Sequence, residues 1–253
     1  MDKNSLEKTK KKIPVMGVAM MVCVTVAGGG FGIEELVGAV GPGVTMVTFC
    51  AIPFFWSLPF ALSSAELSSA YPEDGGMYIW AQRGLGEKAG FASGWAYVIA
   101  GLFEPCTFAV LTVTYLDTLI EKLGIPVTPF VFWIMCAALI AVFAIINILG
   151  IEVISNMATV TTFLCFIPFI IMVILAFMNI DDPASMVTPL KPEGTSFLQS
   201  AGQGLLIGIW FNQGYETISC ASGDIKDGER VVPRGILVAI PIIALMYMCW
   251  VVP

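Results

Sequence analysis

Seven apolar stretches, each about the length of a membrane span, dominate this 253-residue sequence. A helix of about 20 apolar residues crosses the hydrocarbon core of a bilayer, and a soluble fold would need polar faces that these stretches do not offer. Charged residues make up only 12% of the chain, against about 25% in soluble domains. The sequence therefore predicts an all-α membrane protein. The predicted segments are approximately Ile13–Val40, Val44–Ala70, Ala89–Ile120, Val127–Leu149, Val153–Met178, Gly202–Cys220 and Gly235–Val252.

The distribution of basic residues predicts how these segments are oriented. Ten of the twelve Lys and Arg side chains fall on one side of the predicted segments, and the other two, Lys122 and Lys191, fall on the opposite side. Cytoplasmic loops carry such an excess of basic residues. We therefore predict a multi-pass protein of the plasma or inner membrane, with a cytoplasmic N-terminal tail (residues 1–12). The ten residues are Lys3, Lys8, Lys10, Lys11, Lys12, Arg83, Lys88, Lys226, Arg230 and Arg234.

The residue types that are missing exclude several kinds of site. The chain has no histidine, which removes His-based nucleophilic catalysis and His-liganded metal sites from consideration. Its seven cysteines show no CxxC spacing, and the basic run near the N-terminus is short. These features argue against a metal centre and against nucleic acid as a partner. We expect no cofactor and no bound metal, and the bilayer lipid is the partner that the composition predicts.

The first segment is interrupted near its middle by glycines. Four of the five residues from 28 to 32 are glycine, and they follow Thr25. Each glycine costs about 1 kcal/mol relative to alanine inside a helix, so the run favours an unwound stretch. Unwound backbone is tolerated at membrane depth where protein or a cavity receives its polar groups. The alternative is a small-residue face for close helix packing.

The sixth segment repeats this pattern. Three glycines, Gly202, Gly204 and Gly208, lead to Asn212, Gln213 and Gly214 in the middle of an apolar run. Two interrupted helices in corresponding positions of a five-helix repeat indicate a transporter with a binding site near the membrane midplane. A packing face is again the alternative.

Three separated motifs carry a specific resemblance, which spans nearly the whole chain. They are GGGFGIEELVGAVGPG, AELSSAYPEDGGMYIWAQRGLG and WFNQGYETISCASGDIKDGERVVPRGI. The sequence resembles the amino acid–polyamine–organocation permease superfamily, and GGGFGIEE is most similar to its branch of polyamine and cationic amino acid permeases. The resemblance implies the leucine-transporter fold of two inverted five-helix repeats. Residues 13–180 would form the first repeat, and residues 181–253 the first two helices of the second, so we expect a truncated N-terminal portion.

The same resemblance implies which residues bind substrate. The carboxylate of an amino acid would meet free amides at Gly28, Gly29 and Gly30, where a helix N-terminus favours an anion. The ammonium would meet backbone carbonyls of the first and sixth helices, and Trp210 matches an aromatic gate. Thr25, Asn212 and Gly214 complete the set of candidate substrate-binding residues.

Acidic residues lie within or near the predicted spans, whereas every Lys and Arg lies outside them. Ionisable groups at bilayer depth are costly and are functional candidates by default. Acids without a basic partner suit protons, cations or a cationic substrate. Glu35 is a candidate cation contact, although Glu34 and Glu35 also suit the N-terminal dipole of the following half-helix. The acids are Glu34, Glu35, Glu66, Glu104, Asp117 and Glu216.

Two of these acids receive specific roles. Glu104 precedes Pro105, which removes a helical hydrogen bond, and is predicted to bind the side-chain cation of a lysine-like or polyamine substrate. The alternative is a protonated, structural Glu104. Glu216 matches an acidic position of the superfamily's sixth helix and is predicted to carry protons. By our alignment Cys165 occupies the position of a lysine that serves some proton-dependent members, so the lysine-based mechanism is not predicted. Sodium coupling stays open as an alternative to proton coupling.

These observations predict a secondary transporter for amino acids or polyamines, preferring cations and either proton-coupled or exchanging. A non-catalytic fragment or membrane subunit is one alternative. An intramembrane enzyme is a weaker one, because no nucleophile–base pair or metal-ligand spacing accompanies the acids. Oligomeric state does not follow from these residues.

Overall fold

The computed structural model describes residues 10–27, 32–179 and 187–251. Helices dominate them, with one isolated β-bridge between Lys11 and Ile225. The elements are α1 (Val15–Val26), α2 (Ile33–Val40), α3 (Pro42–Ile52), a π-helical turn (Pro53–Ser57), α4 (Leu58–Ala70), α5 (Met77–Leu85), α6 (Glu87–Lys122), α7 (Pro129–Ile148), α8 (Ile151–Asn179), α9 (Phe197–Phe211), a 3₁₀ helix (Thr217–Asp224) and α10 (Gly228–Val251).

Five of the described helical stretches are long and apolar enough to cross a membrane. They correspond to the second, third, fourth, fifth and seventh predicted segments. The first and sixth are shorter helices: α1 has 12 residues and α9 has 15, which gives lengths of about 18 and 22 Å against a core of about 30 Å. The all-α membrane fold is confirmed, and the two segments predicted to be discontinuous are the two whose described residues form no full-length helix.

Two predicted segments begin earlier in the structure, and one connection contains an additional helix. The connection between the second and third predicted segments contains α5, a nine-residue helix that is too short to register as a membrane segment. Helix α9 begins at Phe197 rather than Gly202, because the Ser196 hydroxyl caps it by accepting from the Gln199 amide at 3.1 Å. Helix α10 begins at Gly228 rather than Gly235. Its first turns carry charged residues, so they lie outside the apolar run from which the segment was predicted.

The chain forms two compact units, one of residues 1–76 and 155–253 and the other of residues 77–154. In the first unit, α10 packs against α1 and α4, and α9 packs against α2 and α3. Glycines allow these approaches. A methyl group on Gly235 would overlap Cγ1 of Val18, and one on Gly208 would overlap Cδ1 of Ile52. The packing interpretation therefore holds for Gly208, while the interruption of the sixth segment lies further along the chain.

The second unit consists of α5, α6, α7 and the first residues of α8. Its small core joins α6 to α7 through Ala109, Val113 and Cys136. Most other apolar side chains of α6 and α7 are exposed, including Phe103 and Trp133, as expected of helices that face lipid. The division of the sequence into a repeat over residues 13–180 and a second one from 181 stays a prediction.

Candidate functional site

The first segment consists of two helices separated by the residues around the glycine run. Helix α1 ends at Val26, and α2 begins at Ile33 after Gly32, whose φ of +84° favours glycine. Gly28, Gly29 and Gly30 lie outside the described residues. Near the end of α1, the Thr25 hydroxyl donates to the Met21 carbonyl at 2.9 Å.

The sixth segment breaks at residues 212–216, between the end of α9 and the 3₁₀ helix. Within this break, Gly214 has a φ of +106°, a conformation that residues with a Cβ rarely adopt. A methyl group there would lie 3.1 Å from Cγ2 of Thr25. The fold therefore places the end of α1 directly against the break of the sixth segment, and two predicted site residues meet.

Asn212 links this break to the π-helical turn of the second segment. Its side chain is 1% exposed. The Ser57 hydroxyl donates to Asn212 Oδ1 at 2.9 Å, and Asn212 Nδ2 donates to the Gly208 carbonyl at 3.0 Å. Turns of π-helix occur frequently at functional sites. Sequence reasoning missed Ser57; the signal was a serine between Pro53 and Pro59 within an apolar run.

Two buried tyrosines complete the polar interior around the breaks, and sequence reasoning missed both. Tyr215 lies within the break of the sixth segment and is 1% exposed. The hydroxyl of Tyr247, on α10, contacts the carbonyl oxygens of Val26, at 2.8 Å, and of Phe211. These are the last residues of α1 and α9. A tyrosine within the last apolar run was the only sequence signal for Tyr247.

The aromatic residues at the end of α9 face different surroundings. Trp210, predicted to gate the substrate, is 49% exposed. Its neighbour Phe211 is buried, and the end of its ring would lie 3.7 Å from a methyl group on Gly32. Phe211, rather than Trp210, therefore packs at the entry to α2.

The predicted acids are distributed over both units. Glu34 and Glu35 are exposed on the first turn of α2. Glu216 closes the break of the sixth segment and is partly buried, with Oε2 shielded from solvent. Glu104 belongs to the second unit and is exposed on α6. The first unit thus brings Thr25, Asn212, Gly214 and Glu216 into one region.

Polar contacts join the loops at the end of the molecule predicted to be cytoplasmic. Asp74 Oδ1 accepts from the Gly223 amide at 2.7 Å. The Lys11 amide donates to the Asp224 carbonyl at 2.8 Å, and the Lys226 amide donates back to the Lys11 carbonyl at 2.9 Å. The residues before α1 and after α4 are therefore both attached to the 3₁₀ helix and the loop that follows it.

Comparison with known proteins identifies the family. Residues 14–252 match the sequence model of the family described as amino acid permease. The chain belongs to the amino acid permease family. The superfamily predicted from the three motifs is thereby confirmed, and the family is one of permeases rather than enzymes.

Relatives of this chain are named for polyamines, for putrescine, and for arginine and ornithine. A polyamine transporter of Arabidopsis thaliana is 27% identical over 244 residues, which cover 94% of this chain and 47% of that protein. A low-affinity putrescine importer of Escherichia coli is 26% identical over 239 residues, covering 91% and 50%. An arginine/ornithine antiporter of Latilactobacillus sakei is 32% identical over 112 residues, covering 44% and 23%. The chain spans about half the length of the relatives that it matches throughout.

Proposed function

We propose that the complete protein is a secondary transporter of amino acids or polyamines that prefers cationic substrates. One observation carries the proposal: two membrane segments of the first unit are interrupted close together, since a methyl group on Gly214 would lie 3.1 Å from Cγ2 of Thr25. Interrupted helices side by side are the usual framework of transporter binding sites. The names of the relatives agree with an amine-bearing substrate.

The helix ends favour an ammonium group. Helices α1 and α9 both end at the breaks, and a helix C-terminus carries a partial charge of roughly −0.5. The carbonyls of Val26 and Phe211 converge there on one hydroxyl. We propose that a substrate ammonium binds carbonyls at these two ends, with Trp210 covering the site.

The N-terminus of α2 would receive the carboxylate of an amino acid substrate. Its partial positive charge favours anions, and we propose that amides of Gly28, Gly29 and Gly30 bind them. Glu34 and Glu35 occupy the same first turn and compete for this positive end. A polyamine has no carboxylate, so acidic side chains at this position favour cationic over zwitterionic substrates.

We assign the substrate's remaining charge and the coupling proton to acidic side chains. Glu216 lies at the break and has a shielded oxygen, which suits a proton carrier. Glu104 is proposed to contact the distal cation, with Glu35 as a further cation contact.

Opening toward the cytoplasm would require the Asp74–Gly223 and Lys11–Asp224 hydrogen bonds to break. The N-terminus and these loops are proposed to be cytoplasmic in the plasma or inner membrane.

The test is uptake by the complete protein in proteoliposomes. Radiolabelled putrescine, lysine, arginine and leucine would be supplied with and without an inward proton gradient, and protein-free liposomes give the background. We expect saturable uptake of the cations, stimulated by the gradient or by internal counter-substrate. Uptake of leucine alone would contradict the cationic preference, and no movement of any solute would contradict transport itself.

A further inference from the structure

Tyr247 occupies an unusual place for a tyrosine on a membrane helix. Its side chain is 1% exposed, and its hydroxyl contacts the terminal carbonyls of both interrupted helices. Val26 and Tyr247 are 221 positions apart in the sequence. One phenol from α10 therefore joins the ends of two helices that do not continue through the membrane.

The two helix ends need such a donor. The last four carbonyls of a helix lack intrahelical partners, and two C-termini with partial negative charges repel each other at close range. The phenol offers one proton, whereas each carbonyl oxygen has two lone pairs. The hydroxyl thus draws both ends to one point and leaves lone pairs available to a further donor.

The ring of Tyr247 is held independently of its hydroxyl. It stacks on Phe49 with a centroid separation of 4.9 Å. It also meets Trp250 edge-on at 5.3 Å and Phe211 at 6.0 Å. Phenylalanine at this position would keep these three contacts, so the substitution removes the hydroxyl with little effect on the ring's packing.

We propose that Tyr247 is a positioning residue, which holds the α1 and α9 carbonyls at the separation that one ammonium group bridges. This inference rests on the proposed transport of amines. The residue acts through the two carbonyls and so determines how well the site recognises N–H donors. A cation without N–H groups gains no hydrogen bond from this alignment.

The transport test compares Tyr247→Phe with the wild type in the complete protein. Tyr78→Phe is the matched control, because it removes a phenol oxygen from a tyrosine of the other unit. We expect the KM for putrescine to rise about tenfold, which is the size of effect expected when a hydrogen bond to a charged group is lost. Vmax should change less than about twofold. The inhibition constant of 1,4-bis(trimethylammonio)butane, a dication without N–H groups, should stay unchanged.

A second measurement does not depend on transport. It is hydrogen–deuterium exchange of backbone amides 212–217 in nanodiscs without substrate. Exchange should accelerate about tenfold in Tyr247→Phe, because the end of α9 loses its link to α1. It should stay at the wild-type rate in Tyr78→Phe. If the wild type moves no amine, the proposed function fails and this exchange result still tests the link. Unchanged exchange, an unchanged or lower putrescine KM, or equal weakening of the quaternary dication would overturn the positioning role.

Discussion

The two units of the molecule differ in what they bury. Within the described ranges 10–27, 32–179 and 187–251, every buried polar side chain belongs to the first unit, where the hydroxyls and amide accompany the glycine contacts and both helix breaks. Among the described residues of the second unit, the buried side chains are those of Trp80, Ala109, Val113 and Cys136, and none of them carries a hydroxyl, amide or carboxylate group. Polar groups in a membrane interior are kept where they find partners or serve a function. We therefore expect the substrate-binding region to lie in the first unit. The buried polar residues are Thr45, Thr48, Ser57, Ser64, Ser68, Ser155, Thr162, Ser200, Asn212, Ser219 and Ser222.

The largest effect should come from disrupting the packing of the first unit. Gly235→Val places side-chain atoms where Val18 already lies, because even a methyl group at this position would overlap Cγ1 of Val18. Overpacking of this kind costs about 3 kcal/mol, and we expect loss of the monodisperse peak in detergent size-exclusion chromatography. Gly101→Val, in open space on α6, should leave the peak intact. Equal loss of the monodisperse peak in both variants would contradict the difference in packing between the two units.

The next largest effect concerns the break itself. Gly214→Ala forces a Cβ into a φ of +106° and against Thr25, at a cost of about 1–3 kcal/mol. We expect putrescine uptake in proteoliposomes to fall at least about tenfold with the protein still folded. Gly202→Ala on α9 meets nothing within 4 Å and serves as the control. Normal uptake by Gly214→Ala would show that the break does not set the site.

Glu216→Gln tests the proton role within the first unit. The glutamine side chain is not ionisable near neutral pH, so it cannot carry a proton. Uptake should lose its dependence on external pH while substrate still binds. The measurement is initial uptake rate from pH 5.5 to 8.0, compared with Glu121→Gln, an exposed acid at the end of α6. An unchanged pH profile in Glu216→Gln would remove this residue from the coupling mechanism.

Glu104→Gln asks whether the second unit contributes to the site. If Glu104 contacts the distal cation, the KM for putrescine should rise about threefold to tenfold, the range of an ion pair in a partly solvated site. Lysine should be affected similarly and leucine not at all. Equal KM values for wild type and variant would confine substrate recognition to the first unit.

The smallest effect compares two hydroxyls. Ser57→Ala removes the donor to Asn212 Oδ1 and should lower the free energy of unfolding by about 1–2 kcal/mol. Thr118→Ala removes an exposed hydroxyl that donates to the Thr114 carbonyl of its own helix, and we expect almost no change. Thermal unfolding in detergent measures both. A larger shift for Thr118→Ala would reverse the comparison.

Part of the site followed from local sequence. The breaks in the first and sixth segments were predicted because glycines and polar residues disfavour a helix wherever they cluster. Gly204 and Gly208 also attracted attention, yet they pack against α3; a glycine pattern alone does not distinguish a break from a close approach. Ser57 and Tyr247 were missed because the local sequence around each of them does not distinguish it from a residue that only packs between helices.

The sequence by itself determined the membrane class, the number of apolar segments and which two are interrupted. These properties depend on hydropathy and backbone propensity, which act within one segment. Only the tertiary structure decided that Gly214 meets Thr25, that Ser57 binds Asn212 and that Tyr247 joins the ends of α1 and α9. Those contacts link residues from 36 to 221 positions apart, so they depend on how whole helices pack and leave no mark in local composition.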